Sequence, residues 1–163
     1  MQITATKLTD IELLRRACDM TRHEGQSAST VSLAAMYRCE HSPIRTQLFW
    51  IEMSRIPTFV SVHLVRHSIG VTHYVESNRD DKGGKDTGRN MPVNHAMLIN
   101  AQALMAMARK RLCSNAHVDT MRVMGRIKVA VADVDPDLAK AMVPDCVYRG
   151  GCHELKSCGA RNE

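Results

Sequence analysis

The pattern of hydrophobic and polar positions predicts two β-strands. In residues 71–77, Val71, His73 and Val75 share one face, which gives the period of two that is typical of a strand. The run 47–54 is rich in strand-forming residues and has an apolar middle, so we expect it to pair with the first strand. Two strands are not stable alone, and helices or the strands of a partner subunit should cover them.

Apolar residues at helical spacing predict one long helix and several shorter ones. The longest should be 94–113, capped by Asn94, because its body is nearly all Ala, Leu, Met and Ile and would be buried on most sides. Candidate N-caps of the first two shorter helices are Thr9 or Asp10, and Ser29. The shorter helices are predicted at 11–23, 30–39, 57–67, 119–133 and 135–142. The expected fold class is α+β, with a small antiparallel sheet packed with a long buried helix and several shorter helices.

The composition favours small anionic ligands over nucleic acid. Lys and Arg exceed Asp and Glu by 22 − 17 = 5 in this chain of 163 residues, so phosphorylated ligands are plausible partners. Two Phe, three Tyr and one Trp are few for stacking on single-stranded bases, so a nucleic-acid partner is unlikely. No apolar run is long enough for a membrane span, and the first residues lack the pattern of a signal peptide. We therefore expect a single cytoplasmic domain, residues 1–163.

One short segment carries most of the candidate chemistry. His63, Arg66 and His67 stand at positions i, i+3 and i+4 near the end of a short helix, and so share one face. Arg79 ends the strand that follows. Two arginines and several histidines brought together in this way favour an anionic ligand. The alternative is structural, since Arg and His are stabilised at a helix C-terminus by the macrodipole, and an Arg could pair with Glu76.

Two polar residues of the predicted long helix also point to a site. Asn100 and Arg111 are eleven residues apart, about three turns, and therefore lie on one stripe of an otherwise apolar helix. This placement suggests that both side chains are directed into a site. The structural alternative is a hydrogen-bonded core amide for Asn100 and a solvated helix-end cation, beside Lys110, for Arg111.

The polar, Gly-rich residues 78–92 predict a surface loop. Two interpretations stay open for it. It is either a solvated connection or a mobile lid in which Lys82, Lys85 or Arg89 reaches a ligand phosphate.

The six cysteines are expected to be thiols and not disulfides. Cys146, Cys152 and Cys158 lie near His153, with five residues between neighbouring cysteines, which is looser than the spacing of most structural zinc sites. We therefore expect no metal, with zinc as the alternative. None of the six lies in the cationic segment that would activate a thiolate, Cys113 being the nearest, so we expect none to be catalytic.

Two separate patches of the sequence resemble the motifs of one known family. The run PTFVSVHLVRH at 57–67, followed by Ser77-Asn78-Arg79, resembles an RHR…S…R signature. The helix from Asn100 to Arg111, followed by Ala116-His117, is similar to an Asn…Leu-Arg-Leu…Ala-Gln helix with the same spacing from Asn to Arg. Both motifs are those of the flavin-dependent thymidylate synthases, the ThyX family, and two matches in the same order are far more specific than either motif alone.

The resemblance implies a homotetrameric enzyme whose active sites are shared between subunits. Members of the family methylate C5 of dUMP, with methylenetetrahydrofolate as carbon donor and FAD, reduced by NADPH, as hydride carrier. The implied flavin contacts are Arg66, His67 and Asn100. The implied nucleotide contacts are His63, Ser77, Arg79 and Arg111, of which Ser77 and Arg111 are the candidate catalytic residues. In such a reaction a cation beside a pyrimidine carbonyl stabilises the charge that develops on its oxygen.

The chain departs from the family pattern at several positions. The third signature residue is Ser68 instead of Arg, which removes a cation on the flavin side. One extra residue precedes Ser77 in this chain. The family's Asn-Glu pair therefore falls on His73 and Tyr74, or one residue later, and Glu76 lies near but out of register. Two other functions stay open: an enzyme that modifies a pyrimidine nucleotide differently, for example by hydroxymethylation, and a nucleotide- or nucleic-acid-binding module without catalysis.

Overall fold

Four antiparallel strands and seven α-helices make up the part of the chain that the computed structural model describes, residues 1–23, 25, 27, 30–84 and 88–159. The strands are β1 (Gln2–Lys7), β2 (Leu48–Pro57), β3 (Val71–Val75) and β4 (Pro92–Asn100). The helices are α1 (Ile11–Asp19), α2 (Leu33–Cys39), α3 (Thr58–Val65), α4 (Ala101–Arg111), α5 (Val118–Val134), α6 (Pro136–Ala141) and α7 (Asp145–Arg149). Short 3₁₀ helices lie at Ser42–Thr46 and Asp80–Lys82. The predicted α+β class is confirmed.

The predicted helix 94–113 is wrong over residues 94–100, which belong to strand β4. Val93, His95, Met97 and Ile99 are buried in alternation with more exposed neighbours, so the true period of this stretch is two. Helix α4 begins only at Ala101, where the side-chain oxygen of Asn100 accepts a hydrogen bond of 2.9 Å from the N–H of Ala103. The N-cap is therefore Asn100 and not Asn94.

The predicted pairing of the segment 47–54 with 71–77 is also wrong, because β4 lies between them. The sheet order is β1-β2-β4-β3, and Leu98 of β4 is paired with Trp50 on one side and with Thr72 on the other. The sequence analysis missed β1, which pairs with the free edge of β2. The four-stranded sheet is therefore stable where two strands alone would not be.

Most of the shorter helices lie where the sequence predicts them. Helices α1, α2, α3, α5 and α6 all overlap their predicted segments, and α1 is capped by Asp10, one of its two predicted caps. The cap of α2 is Ser32, whereas the predicted Ser29 lies outside the described residues. At 17 residues α5 is the longest helix of the described part. No described helix is long and apolar enough to cross a membrane.

The sheet has one covered face and one open face. Phe49, Ile51, Met97 and Ile99 point inward and share one apolar core with residues of α3, α4 and α5. On the other face the rings of Trp50 and Tyr74 lie 5.3 Å apart, and half of the Tyr74 surface is exposed. The candidate residues on α3 and α4 therefore belong to the helical side of the sheet.

A buried carboxylate joins the N-terminal strand to three helices. Asp135, at the start of α6, is 2% exposed and accepts hydrogen bonds of 2.7 Å from both Lys7 Nζ and the Tyr37 hydroxyl. It also caps α6 by accepting from the N–H of Leu138 at 3.0 Å. Burial and the bond to Asp135 raise the pKa of Tyr37 above its ordinary value, so the hydroxyl remains a donor.

Replacing Asp135 by Ala should lower the free energy of unfolding by about 2–4 kcal/mol, because it leaves Lys7 and Tyr37 without their acceptor in a buried place. Urea unfolding followed by circular dichroism measures the change. Asp137→Ala is the matched control, since Asp137 makes an exposed pair with Lys140 and should cost about 0.5 kcal/mol or less. Equal losses in the two variants would contradict the role of Asp135.

Candidate functional site

Arg111, the last residue of α4, is bound to the C-terminal end of α3. Its Nε donates to Nε2 of His67 at 2.9 Å, and its Nη2 donates to the backbone oxygen of His63 at 2.8 Å. The last carbonyl groups of a helix lack partners within the helix, so a side-chain donor is favourable there. Arg111 is half-buried and is not the solvated helix-end cation of the structural alternative.

The contact with Arg111 determines which ring nitrogen of His67 carries the proton. A guanidinium only donates, so Nε2 of His67 must accept, and the proton of the neutral ring lies on Nδ1. Burial, then the charges of Arg111 and His73, lower the pKa of His67 to about 4. At neutral pH His67 is therefore an uncharged N–H donor and adds no positive charge to the site.

Five basic side chains form what we call the cationic cluster: His63, Arg66, Arg89, Arg111 and His117. Burial is the first cause that lowers the pKa of His63, and the charges of the other four residues lower it further. The charge of Arg66 also helps to lower the pKa of Arg111, after burial. Within the described residues none of the three arginines pairs with a carboxylate. An anion bound here would relieve this repulsion.

The apolar ring of Phe59 contacts three members of the cationic cluster. It lies 4.7 Å from the ring of His117 and 5.7 Å from that of His63, and the guanidinium of Arg89 stacks over it at 4.8 Å. Arg89 reaches this place because its backbone oxygen accepts from the N–H of Phe59 at 3.2 Å. The structure thus brings one of the three candidate lid residues to the cluster, while Lys85 lies outside the described residues.

A pocket of about 300 Å³ opens beside Arg111. Its lining comprises His67, Lys110, Arg111, Cys113, Asn115, Ala116 and Glu154. Lys110 is paired with Glu154 at 2.9 Å, which leaves Arg111 as the unpaired cation of its described lining. Cys113, which the sequence places outside the cationic segment, is thus close to it in space. Its expected lack of a catalytic role stays a prediction.

A larger groove of about 640 Å³ lies elsewhere, between strands β2, β3 and β4. Glu52 and Glu76 line it together with Tyr74 and Asn94. Two carboxylates repel an anionic ligand, so the cationic cluster and its pocket are the better anion site. Glu76 does not pair with an arginine but accepts from the N–H of Asn94 at 2.8 Å, holding β3 to β4.

Three of the candidate residues are not brought into the cluster by any contact in the described part of the chain. Arg79 is exposed and makes a two-pronged ion pair with Asp81, at 2.9 and 2.7 Å, and the Ser77 hydroxyl accepts from the N–H of Arg79 at 3.4 Å. Asn100 caps α4, and its amide lies against Gly70, where a Cβ atom would come within 2.5 Å of Nδ2.

The sequence analysis did not identify two buried polar residues, Ser61 and His95. Ser61 Oγ lies 3.0 Å from His95 Nδ1, His95 Nε2 lies 2.9 Å from His73 Nδ1, and His73 Nε2 lies 2.8 Å from the backbone oxygen of His67. Burial, then His73, lower the pKa of His95 to about 4. The inward position of His95 follows from the period of two in β4. The sequence analysis assigned this stretch to a helix and therefore did not recognise the alternation.

The cysteine cluster at the C-terminal end gives no metal site in the structure. In residues 1–23, 25, 27, 30–84 and 88–159, no group of three or more His, Cys, Asp or Glu side chains is arranged to hold a metal ion. The expectation of no metal, and the zinc alternative for Cys146, Cys152, Cys158 and His153, stay predictions.

Comparison with known proteins shows which solved structures share this fold. No protein-family model matches the sequence, and no curated protein does. Solved structures do match. Thymidylate synthase X (ThyX) from Helicobacter pylori, with FAD and dUMP, gives a TM-score of 0.69 at 12% identity over 88% of this chain and 99% of that chain. A second structure of the same enzyme with the same ligands gives the same score, identity and cover of this chain, and 100% of its own.

The UMP/dUMP methylase PolB from Streptomyces cacaoi, bound with 5-Br dUMP, also has this fold. It gives a TM-score of 0.62 at 14% identity, over 86% of this chain and 94% of that chain. At such identities the similarity shows a shared fold and does not by itself transfer an activity.

His67 and His95 should stay neutral from pH 8 down to about pH 5, because their pKa values lie near 4. The unfolded chain binds their protons below about pH 6.5, so the free energy of unfolding should fall as the pH falls from 6.5 towards 4. The buried His95 can contribute at most about 1.4 kcal/mol per pH unit, and the half-exposed His67 less.

Titration of the histidine ring protons by NMR, with urea unfolding at pH 7.5 and 5, measures both effects. His95→Asn keeps a partner for Ser61 and should flatten the pH dependence of stability. A His67 ring that takes up its proton near pH 6.5 would contradict its hydrogen bond with Arg111.

Proposed function

We propose that this chain is a flavin-dependent enzyme that methylates C5 of dUMP, with methylenetetrahydrofolate as carbon donor and NADPH as reductant. The observation that carries the proposal is the cationic cluster beside the 300 Å³ pocket, in which no arginine has a carboxylate partner among the described residues. Its support is the fold, which is shared with structures that hold FAD and dUMP or a brominated dUMP.

The hydrogen-bond donors of the cluster that have no partner among the described residues suit a nucleotide phosphate. Arg111 uses two of its five N–H groups on α3 and keeps the others for a ligand. His63 uses Nδ1 on the Thr120 hydroxyl at 2.8 Å, so its Nε2 is left over among the described contacts. Arg79 and Ser77 would join them once Arg79 leaves Asp81, and an exposed ion pair of this kind costs only about 0–1 kcal/mol to break. These four residues would bind dUMP.

The residues proposed for flavin also have donors to spare. The Arg66 side chain is exposed and makes no hydrogen bond or ion pair with any described residue, while its backbone N–H is bonded to the oxygen of Leu64 in α3. His67 keeps its Nδ1–H, and Asn100 keeps its amide Nδ2 after its oxygen has capped α4. Flavin carbonyl oxygens and pyrophosphate are acceptors, so a set of donors suits FAD. FAD, when bound, would supply the hydride that this protein's side chains cannot.

Arg111 is the candidate for a direct catalytic role. Its guanidinium is held against α3 by two hydrogen bonds and so is oriented before a ligand arrives. A cation held beside a pyrimidine carbonyl would stabilise negative charge on that oxygen while C5 attacks the carbon donor. Ser77 would help to place the nucleotide from the start of the loop.

A homotetramer with shared active sites is part of the proposal. The open face of the sheet, with Trp50, Leu98 and Tyr74, offers a surface for another subunit. Ser77 and Arg79 make no described contact with the cluster, which agrees with a site completed by a neighbour. Such sharing would also explain how a chain of 163 residues could enclose FAD.

The purified protein should be yellow, have the mass of four chains by light scattering, and form dTMP from dUMP when given FAD, NADPH and methylenetetrahydrofolate. Absorbance near the flavin bands and chromatography of the products measure these outcomes. A hydroxymethylated nucleotide instead of dTMP would replace methylation by the alternative enzyme reaction. Nucleotide binding without flavin or product would leave the binding-module function.

Arg111→Lys should weaken dUMP binding by about 1–3 kcal/mol, because the Lys ammonium keeps the charge but loses the planar fork. The free energy of unfolding should also fall, by about 1–2 kcal/mol, since one ammonium cannot replace both bonds to α3. These two bonds are the reason that the substitution should affect folding as well as binding.

Calorimetric titration and urea unfolding measure the two changes separately. Arg126→Lys on α5 is the matched control, because Arg126 bonds only to the backbone oxygen of Met1 in the described structure and should affect neither. Unchanged dUMP affinity in Arg111→Lys would remove Arg111 from the nucleotide site.

A further inference from the structure

We propose that His73 is a positioning residue: its ring holds the backbone at His67, and thereby the orientation of the His67 ring towards Arg111. His73 has no part in the proposed binding sets, yet both of its ring nitrogens are in hydrogen bonds. It lies on β3, an edge strand that pairs only with β4 in the described sheet. Its side chain is the link from that edge to the end of α3.

The hydrogen bonds through His73 run in one direction when the rings are neutral. The backbone oxygen of His67 can only accept, so Nε2 of His73 donates to it and Nδ1 of His73 accepts. His95 then donates from Nε2 to His73, and its Nδ1 accepts the hydrogen bond that the Ser61 hydroxyl donates. Every ring nitrogen of His73 and His95 thus has one defined role, and neither ring can flip without losing two bonds.

His67 is consequently held from two sides. His73 binds its backbone oxygen at 2.8 Å, and Arg111 binds its ring at Nε2 at 2.9 Å. His67 follows the last turn of α3, where its N–H still donates to the oxygen of Leu64 at 3.0 Å but its own oxygen has no partner within the helix. Without His73, the backbone N–H bond to Leu64 and the bond from Arg111 would remain, but the backbone oxygen of His67 would lose its partner among the described contacts. With it, the Nδ1–H of His67 has a fixed direction at the wall of the 300 Å³ pocket.

The consequence for ligand binding rests on the proposed function, whereas the positioning itself does not. A donor that is oriented in advance loses less freedom when a ligand binds. His73 should therefore strengthen the binding of FAD or dUMP through His67 without touching either ligand. Loss of one neutral hydrogen bond predicts an effect of about three- to ten-fold on affinity.

Two substitutions of His73 separate its two bonds. Asn can place an oxygen where Nδ1 is, which keeps the bond to His95 but does not reach His67. Gln can place an N–H where Nε2 is, which keeps the bond to the His67 oxygen and gives up the bond to His95. Thr72→Ala is the control on the same strand, because Thr72 is exposed on the opposite face.

The first measurement needs no ligand: ¹H–¹⁵N spectra of the histidine rings at pH 7. In the native protein and in His73→Gln, His67 should show one tautomer, with its proton on Nδ1, whereas His73→Asn should give averaged signals. Titration with FAD and with dUMP should then show about three- to ten-fold weaker binding for His73→Asn and native binding for His73→Gln and Thr72→Ala.

The outcomes decide between positioning and simple stabilisation. An unchanged His67 spectrum in His73→Asn, or equal changes in the Asn and Gln variants, would overturn the proposal. If His73→Asn does not fold, loss of the single His67 tautomer in a folded His73→Gln would overturn it as well, and its retention would support it. If even the native protein binds neither FAD nor dUMP, the proposed function fails, while the ligand-free spectra still decide the role of His73.

Discussion

The central strand β4 is the constraint on which the rest of the structure depends. It is hydrogen-bonded to β2 on one side and to β3 on the other, so its end at Asn100 is fixed relative to both. The N–H of Asn100 donates to the oxygen of Gly70 at 3.0 Å, and its side chain starts α4. Helix α4 therefore leaves the sheet at a defined point and carries Arg111, three turns later, to the end of α3. The inward-facing His95 of the same strand is hydrogen-bonded to His73, which in turn is hydrogen-bonded to the backbone oxygen of His67. Both supports of the candidate site thus begin on one strand.

The electrostatics of the site are simpler than its composition suggests. Of the three histidines in the segment from 63 to 73, His67 is kept neutral by burial and by a donor that occupies its acceptor nitrogen. The pKa of His63 is also lowered, first by burial and then by neighbouring cations. Positive charge is therefore carried by the arginines, whose guanidinium groups stay protonated, and the lowered pKa values of His63 and His67 favour their uncharged rings. Such a site would attract phosphate while offering ring nitrogens that are suited to carbonyl groups.

The comparison structures and the geometry support different parts of the proposal. A fold shared at 12–14% identity says how the elements are arranged, and leaves open which side chains have been kept. Within the chain, Arg111 is hydrogen-bonded to His67, and the charge of Arg66 helps to lower the pKa of Arg111 after burial, whereas the roles of these residues stay a proposal. Ser68 stands where the ThyX motif has Arg. Ser77 and Arg79 do not come to them within the described chain, and Arg79 is held by Asp81. A subunit interface would reconcile these observations.

Local signals in the sequence were sufficient for α1, α3, α5, α6 and β3. Asp10 and Pro136 mark helix starts through backbone chemistry that involves only neighbouring residues, and the alternation from Val71 to Val75 is likewise local. The spacing of His63, Arg66 and His67 placed the candidate site at the end of α3. Sequence alone therefore determined where most elements lie and which segment carries the cations.

Tertiary structure alone decided the identity of β4, the order of the strands and the protonation of the site. The residues from 94 to 100 include Ala, Met and Leu, which suit a helix, and Ile and His, which suit a buried strand, so pairing with β2 and β3 settled the choice. The partners of Arg111, His67 and Arg79 depend on contacts between residues that are distant in sequence or on competing local carboxylates. Periodicity describes only which face of an element is apolar. Which donor meets which acceptor, and hence where each proton lies, depends on the packing of one element against another.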